Sequence, residues 1–179
     1  MKPIIALLVC LPSVLLSETL SEDRISDQIA SFEAGIICAP EPVGSTPAPG
    51  TVAGTTHVID VDPPFVSTNR RVPAVIGIGF GVKAMARDPA GLQGVTILVT
   101  HPPMGKDRVE EQNFGSKISG SAPSVTFYQF DAPYERVYGT WNMTAIKNGE
   151  QIYSADFEVV PASQVLELAS VCGFEALLS

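Results

Sequence analysis

The residues with the clearest chemical potential are two histidines, His57 and His101, and the short acidic segment 60–64, DVDPP. A metal site could combine His57 with Asp60 and Asp62, since imidazole and carboxylate groups are common metal ligands. The separations are odd, however, so along a strand His57 faces the opposite side from both aspartates. The segment also lacks the glycine and distal glutamate of a calcium-binding EF-hand loop. We therefore predict a solvated acidic turn with no metal or cofactor, loop-bound calcium being the alternative.

A hydrolytic site would need an oriented histidine beside a nucleophile. The sequence contains no G-x-S-x-G nucleophile elbow, and nothing places two acidic residues across a cleft. His101 comes directly before Pro102 and Pro103 at the end of an apolar run. We predict that His101 hydrogen-bonds a carbonyl group and fixes this turn, and we assign no catalytic residue. A hydrolase that uses His101 with a nearby acid is the alternative.

Three glycines at alternate positions mark the apolar run 72–84, VPAVIGIGFGVKA. A dinucleotide-binding loop needs the spacing G-x-G-x-x-G before a helix, and a Walker A loop ends in Gly-Lys-Ser/Thr, so neither motif is present. We predict a strand that packs its large side chains on one face: Ile76, Ile78, Phe80 and Val82. The opposite face carries Val75 and the glycines, where we expect a neighbouring strand or a large side chain to approach closely.

The N-terminal segment 1–21 has the pattern of a secretory signal peptide. Lys2 is followed by the apolar run 4–16 and then by small residues. The run is too short to span a bilayer, which needs about 20 apolar residues. We predict cleavage after Ser17 or Ser21, with an uncleaved anchor as the alternative, and no transmembrane segment in the mature chain. The protein is thus predicted to be periplasmic or secreted.

Removal of the signal peptide would leave two cysteines, Cys38 and Cys172. Exported chains fold in oxidising surroundings, so we predict a disulfide bond between them, with two buried thiols as the alternative. Such a bond would join the first predicted strand, 31–38, to the C-terminal segment.

The composition bounds the class of protein and of partner. Of 179 residues, 45% are hydrophobic and 17% charged, which is typical of a folded chain, and the length favours one domain. The formal net charge is −8. Since an acidic surface repels phosphate backbones, we exclude nucleic acid as a partner.

Alternating apolar and polar residues predict about seven or eight short strands between residues 31 and 160. The clearest unit is the hairpin 137–160, where a three-residue loop, 147–149, would pair Trp141 with Ala155 and Met143 with Tyr153. The predicted inward-facing residues of this hairpin are Trp141, Met143, Tyr153, Ala155, Phe157 and Val159. The fold class is predicted to be all-β, an antiparallel β-sandwich with a short C-terminal helix.

The C-terminal helix is predicted to begin at Pro161 and to end at Gly173. Its apolar residues recur at helical spacing: Val165, Leu166 and Ala169. The mature chain, 22–179, is therefore predicted to be a single sandwich domain with its core in 31–160 and the helix and tail in 161–179.

Three segments resemble a domain-of-unknown-function family of secreted or periplasmic bacterial proteins. They are FGVKAMARDPAGLQGVTILVTHPPMG (80–105), FYQFDAPYERVYGTW (127–141) and NGEQIYSADFEVV (148–160). The His-Pro-Pro step and the Gly-x-Trp before the hairpin are the most specific parts. The resemblance covers residues 76–160 and implies an immunoglobulin-like fold and an exported location. It carries over no catalytic or ligand-binding residues.

Our leading hypothesis is a non-catalytic binding or interaction module without a cofactor, whose partner is a protein or an envelope component. The alternatives are the hydrolase based on His101, acting in the envelope, and a structural accessory domain. Strand 123–133 is apolar on both faces, which is typical of a strand that either buries one face under a loop or offers it to a partner. The candidate interaction surface comprises His101, Pro102, Pro103, Met104, Tyr128 and Phe130.

Overall fold

The computed structural model describes residues 20–175, which fold mainly into β-strands arranged in three sheets. The predicted signal peptide, 1–21, lies almost wholly outside the described residues. The predicted all-β class is confirmed.

The larger sheet contains six strands. They are β1 (Arg24–Ile25), β5 (Arg71–Pro73), β7 (Leu92–Met104), β8 (Val109–Ile118), β10 (Gly139–Lys147) and β11 (Glu150–Val160). The order is β1–β11–β10–β7–β8, and β5 also pairs with β11. The β5–β11 pair is parallel and the others are antiparallel. β8 stands last in the strand order, so it is the outer strand at one side of this sheet.

The smaller sheet contains three antiparallel strands. They are β2 (Ile29–Cys38), β6 (Ile78–Ala86) and β9 (Ser124–Gln129), in the order β2–β6–β9. A separate hairpin consists of β3 (Gly44–Pro47) and β4 (Thr55–Val58). The segment predicted as a long connection, 39–54, therefore contains one strand of this hairpin, and the predicted strand 55–61 ends at Val58.

The two large sheets face one another across an apolar core. Phe80 of β6 lies at the centre, with ring centroids 4.8 Å from Phe157 of β11 and 5.6 Å from Trp141 of β10. All six hairpin residues predicted to face inward are buried. Side chains from both sheets thus interdigitate, as in a β-sandwich.

The β10–β11 hairpin turns through two residues, not through the predicted three. Asn148 and Gly149 have φ angles of 53° and 81°, and Lys147 pairs with Glu150 across the turn. Positive φ at both central positions is the geometry of a type I′ turn, for which Asn-Gly is the preferred sequence.

A bulge then sets the register of this hairpin. Ile152 is the extra residue on β11, between the pairs Ala145–Tyr153 and Ile146–Gln151. The predicted pairs of Trp141 with Ala155 and of Met143 with Tyr153 are therefore wrong. Trp141 pairs with Phe157 and Met143 with Ala155, which still keeps the apolar residues on one face.

The run 72–84 divides at Gly77 and does not form one continuous strand. Gly77 has a φ of 84°, which only glycine adopts readily, and β6 begins at the next residue. The predicted core residues after it are buried: Ile78, Phe80 and Val82. Ile76, before it, is exposed. The expected close approach is present, because a Cβ atom on Gly81 would lie 2.6 Å from the Cα atom of Phe127 in β9.

The predicted disulfide bond between Cys38 and Cys172 is present. Cys38 is the last residue of β2, and Cys172 ends a single α-helical turn, α1 (Ala169–Cys172). The bond therefore fixes the C-terminal segment to the smaller sheet.

The C-terminal segment is not one continuous helix. Two 3₁₀ turns, Ala162–Gln164 and Leu166–Leu168, precede α1, and Gly173 ends it in the left-handed conformation, with φ of 72°. Val165 and Ala169 are buried, but Leu166 is exposed, so the three residues do not share one buried helix face. None of the described helices is long and apolar enough to cross a membrane.

Candidate functional site

A cavity of about 270 Å³ lies between the open edges of the two sheets. Its walls include Gln112, Phe114, Gly115 and Ser116 of β8 and the consecutive residues 125–129 of β9. Alternate residues of a strand point to opposite faces, so five consecutive lining residues mean that the cavity follows the edge of β9. We call this cavity the edge cleft.

The hairpin 44–58, formed by β3, β4 and the loop between them, closes the outer side of the edge cleft, and we call this segment the flap. All four residues of β3 and three of the four in β4 are exposed, so the flap buries little apolar surface. Two hydrogen bonds attach it to β8. Val52 N–H donates to Gln112 Oε1 at 2.8 Å, and Asn113 N–H donates to the Gly50 carbonyl at 2.9 Å.

A chain of buried hydrogen bonds borders the edge cleft. Gln112, only 3% exposed, donates from Nε2 to His101 Nε2 at 3.1 Å and to the Tyr128 hydroxyl at 3.5 Å. The Tyr128 hydroxyl in turn donates to Glu135 Oε1 at 2.9 Å. The other Glu135 oxygen accepts two backbone N–H groups at 2.6 and 2.7 Å. Every member therefore has a partner, as buried polar groups require.

His101 stands at one end of this chain and is neutral. Its Nδ1–H donates to the Pro102 carbonyl at 2.9 Å, so the predicted carbonyl hydrogen bond is present, and its Nε2 accepts from Gln112. Burial lowers the pKa of His101 below its usual value, against the opposing effects of the Pro102 carbonyl and Glu110. The ring packs on Trp141 with a centroid distance of 4.5 Å. Both ring nitrogens are thus engaged in structural hydrogen bonds.

Tyr128 links this chain to the core. Its ring packs against Trp141 and Phe80, with centroid distances of 5.1 and 5.9 Å. Burial and the nearby Glu135 carboxylate raise the pKa of Tyr128 far above its usual value. The hydroxyl group is therefore protonated at all physiological pH values and acts as a fixed hydrogen-bond donor.

His57 and Asp131 form a hydrogen-bonded pair at the mouth of the edge cleft. His57 Nε2 lies 2.7 Å from Asp131 Oδ2, and Gln129 Nε2 donates to Asp131 Oδ1 at 2.6 Å. A histidine–carboxylate pair is part of a hydrolytic triad, which also needs a nucleophile beside the histidine. The hydrogen bonds of the described residues include none between a Ser, Thr or Cys side chain and His57.

The acidic segment does not join His57. Asp62 pairs with Lys83 at 2.8 Å. Within residues 20–175, no three His, Cys, Asp or Glu side chains are grouped so that they could hold a metal ion.

The six residues of the predicted interaction surface do not form one exposed patch. Three of them are buried: His101, Met104 and Phe130. Pro103 is exposed and Pro102 half-buried, both within β7, which continues to Met104 instead of ending at the proline pair. Tyr128 is half-buried and lines the edge cleft. The sequence pattern therefore identified Tyr128, which lines the edge cleft, but it did not predict the arrangement of the cleft.

Two important residues of the site, Gln112 and Glu135, are not among the six residues of the predicted interaction surface. Gln112 follows the charged segment 106–111, whose composition is typical of a solvated loop, but it is an inward position of β8. Glu135, 5% exposed, ends the 3₁₀ turn Pro133–Glu135. The available signal for Gln112 was period-two alternation, because Gln112, Phe114 and Ser116 share one face.

A family model described as a domain of unknown function, DUF3859, matches residues 26–159. The chain belongs to this family. The part matched to DUF3859 includes the flap and both walls of the edge cleft. Among curated proteins, none matches the sequence.

The DUF3859 chain is also similar to a solved structure, an immunoglobulin-like protein from Pseudomonas aeruginosa. The two sequences are 21% identical, the TM-score is 0.53, and the match covers 78% of this chain and 98% of that chain. At this identity the likeness shows the fold. The predicted immunoglobulin-like sandwich is confirmed.

Proposed function

We propose that this DUF3859 protein is a non-catalytic binding module of the periplasm or the extracellular space, and that the edge cleft is its ligand site. The observation that carries the proposal is the buried hydrogen-bond chain of Gln112, Tyr128 and Glu135 along the cleft. Buried polar groups are costly unless all are paired, and here they converge on a cavity.

The chemistry of the cleft favours binding. Its polar groups are held in place before a ligand arrives, which lowers the entropy loss on association. Val99 and Phe114 supply apolar surface beside them. A cavity with a few fixed polar groups among apolar walls is the usual form of a ligand site.

The geometry favours binding over the hydrolase alternative. His101 uses one ring nitrogen to donate and the other to accept, so it has no free nitrogen to take a proton from a nucleophile. The histidine with a carboxylate partner at the cleft is instead His57. A hydrolase at this cleft would depend on His57 in place of His101, so His57→Ala would abolish its activity, whereas the binding proposal predicts no hydrolytic activity to lose.

The exported location is part of the same proposal. The disulfide bond between Cys38 and Cys172 supports it, because such bonds persist in oxidising compartments. The test is the mass of the chain recovered from the periplasm or medium of cells that express residues 1–179. We expect a chain that lacks residues 1–17 or 1–21. Recovery of the full-length chain from the cytoplasm would contradict this part of the proposal.

The binding proposal is tested by filling the cleft. Ser116 is half-buried and lines the cleft, so Ser116→Phe places a ring in the cavity. Thr140→Phe is the matched control, because Thr140 is exposed on β10 away from the cleft. Each tagged mature chain is incubated with detergent-solubilised envelope, and retained components are quantified by mass spectrometry.

We expect at least one component to be retained equally by the wild type and Thr140→Phe and at least tenfold less by Ser116→Phe. Circular dichroism confirms that each variant is folded. Equal retention by all three chains, or no specific retention by the wild type, would overturn the proposed site.

A further inference from the structure

The backbone of β9 uses only one of its two edges for pairing with β6. Phe130, directly after β9, donates its N–H to the Ile78 carbonyl at 3.0 Å and accepts the Gly77 N–H at 2.9 Å. Both of its backbone groups therefore face β6. In an antiparallel pair, alternate residues direct these groups to opposite sides. The residues that direct theirs away from β6 are Val125, Phe127 and Gln129.

This second edge of β9 is unpaired. The hydrogen bonds between elements of the described chain include none to the backbone of Val125, Phe127 or Gln129. All three residues are half-buried and line the edge cleft, so the unpaired edge faces this cavity. An edge strand with unpaired N–H and C=O groups is a template for pairing with another chain. A further strand would satisfy them at a regular spacing of two residues.

The cleft also suits the side chains of such a strand. In a strand added to β9, residues opposite Thr126 and Tyr128 would point toward the interior of the sandwich. There they would meet the apolar lining supplied by Val99 and Phe114. The edge from Val125 to Gln129 is about 13 Å long, which accommodates about five extended residues.

The negative charge of Asp131 favours a cationic side chain at one end of the added strand. Asp131, whose side chain is 49% exposed, lies two residues after the end of β9, and the chain carries 19 acidic and 11 basic residues. A cationic side chain at this end would compete with His57 for Asp131. Loss of the His57 contact would release one of the few attachments of the flap, which opens the cleft to the segment.

We infer that the ligand of the edge cleft is an extended polypeptide segment that adds as a strand to the free edge of β9. The segment carries two apolar side chains two residues apart and a lysine or arginine near the Asp131 end. This inference rests on the proposed binding function and specifies its ligand class. Main-chain hydrogen bonds supply affinity in this mode, and the alternate side chains supply specificity.

The test uses a displayed library of nine-residue peptides, selected on the wild-type mature chain and counter-selected on Ser116→Phe. The best peptide is then synthesised in two forms, each N-methylated on one of the two sets of alternate amides. One set faces β9 in the bound strand, and the other faces away. Side chains are identical in the two forms, so the comparison isolates the backbone hydrogen bonds. Binding is measured by calorimetry, and amide hydrogen exchange is measured by NMR.

We expect one methylated form to bind at least tenfold more weakly than the unmethylated peptide and the other to bind within about threefold. Exchange of the Val125, Phe127 and Gln129 amides should slow when the peptide binds. Equal binding of both methylated forms, or no peptide selected, would overturn the inference. The proposed function is judged separately, because cleft-dependent retention of an envelope component that is not a polypeptide would support it and exclude a peptide strand.

Discussion

The Tyr128 hydroxyl donates a hydrogen bond to the Glu135 carboxylate at 2.9 Å and so joins the outer strand of the smaller sheet to the turn that follows it. Two backbone N–H groups of the intervening loop donate to the same carboxylate. The loop 130–135 is thereby held in one conformation beside the edge cleft. Tyr128 and Glu135 are the residues on which the shape of the site most depends.

Substitution of Tyr128 by phenylalanine should reveal this dependence. We expect Tyr128→Phe to lower the free energy of unfolding by about 1–3 kcal/mol, because Glu135, 5% exposed, loses a donor that water cannot readily replace. Urea denaturation at pH 7 measures the change. The control is Tyr138→Phe, since Tyr138 is 60% exposed and should change stability by less than about 0.5 kcal/mol. Equal losses in the two variants would argue against a structural role for the hydroxyl of Tyr128.

The burial of His101 should make stability depend on pH. Its pKa in the folded chain lies below the usual value of 6.5, so the unfolded chain binds a proton more readily than the folded chain. The contribution of His101 to the free energy of unfolding is therefore fully present above pH 6.5. It is lost as the pH falls through the pKa of His101 in the folded chain. We expect His101→Gln to show a smaller decline in unfolding free energy between pH 7 and pH 5 than the wild type. Parallel declines would show that His101 does not contribute to the pH dependence.

The close approach of β6 to β9 should exclude any side chain at Gly81. A Cβ atom there would lie 2.6 Å from the Cα atom of Phe127, so we expect Gly81→Ala to destabilise the fold by about 1–3 kcal/mol. Gly115→Ala is the matched control in β8, because a Cβ atom at Gly115 meets no atom within 4 Å. That control should be neutral or stabilising by up to about 1 kcal/mol. Thermal unfolding measures both variants, and an unaffected Gly81→Ala would contradict the observed strand packing.

The disulfide bond should contribute strongly to the free energy of unfolding. Cys38 and Cys172 are 134 positions apart in sequence, so the bond closes a long loop and restricts the unfolded chain. We expect the double variant Cys38→Ala/Cys172→Ala to lose about 2–5 kcal/mol of unfolding free energy. Dithiothreitol should destabilise the wild type by a similar amount and leave the double variant unchanged. Insensitivity of the wild type to reductant would mean that the bond is absent in solution.

The sandwich could be predicted from the sequence because period-two alternation in 137–160 marks its inward face directly. The register of that hairpin could not be predicted. Its Asn148-Gly149 sequence specifies a two-residue turn, but the compensating bulge at Ile152 leaves no local signal, since Ile152 and Tyr153 are both apolar and both buried. Both registers keep the apolar residues of the hairpin on one face, so the local sequence does not distinguish them, and tertiary packing determines which one forms.

The edge cleft could not be predicted because its walls come from different sheets. Gln112 and Tyr128 are brought together only when β8 and β9 become outer strands of facing sheets. Gln112 also follows a run of charged residues that indicates a solvated loop. The disulfide bond, in contrast, could be predicted from the number of cysteines and the predicted export of the chain, and the structure contains the bond.

The most direct test of the account is amide hydrogen exchange along β9, measured by NMR on the mature chain with and without solubilised envelope. Without envelope, we expect fast exchange at Val125, Phe127 and Gln129 and slow exchange at Thr126 and Tyr128, whose N–H groups face β6. With envelope, exchange at the three fast amides should slow in the wild type and Thr140→Phe but not in Ser116→Phe. Slow exchange at all five amides of the free chain, or envelope-dependent protection at a distant surface alone, would contradict a ligand site at this edge.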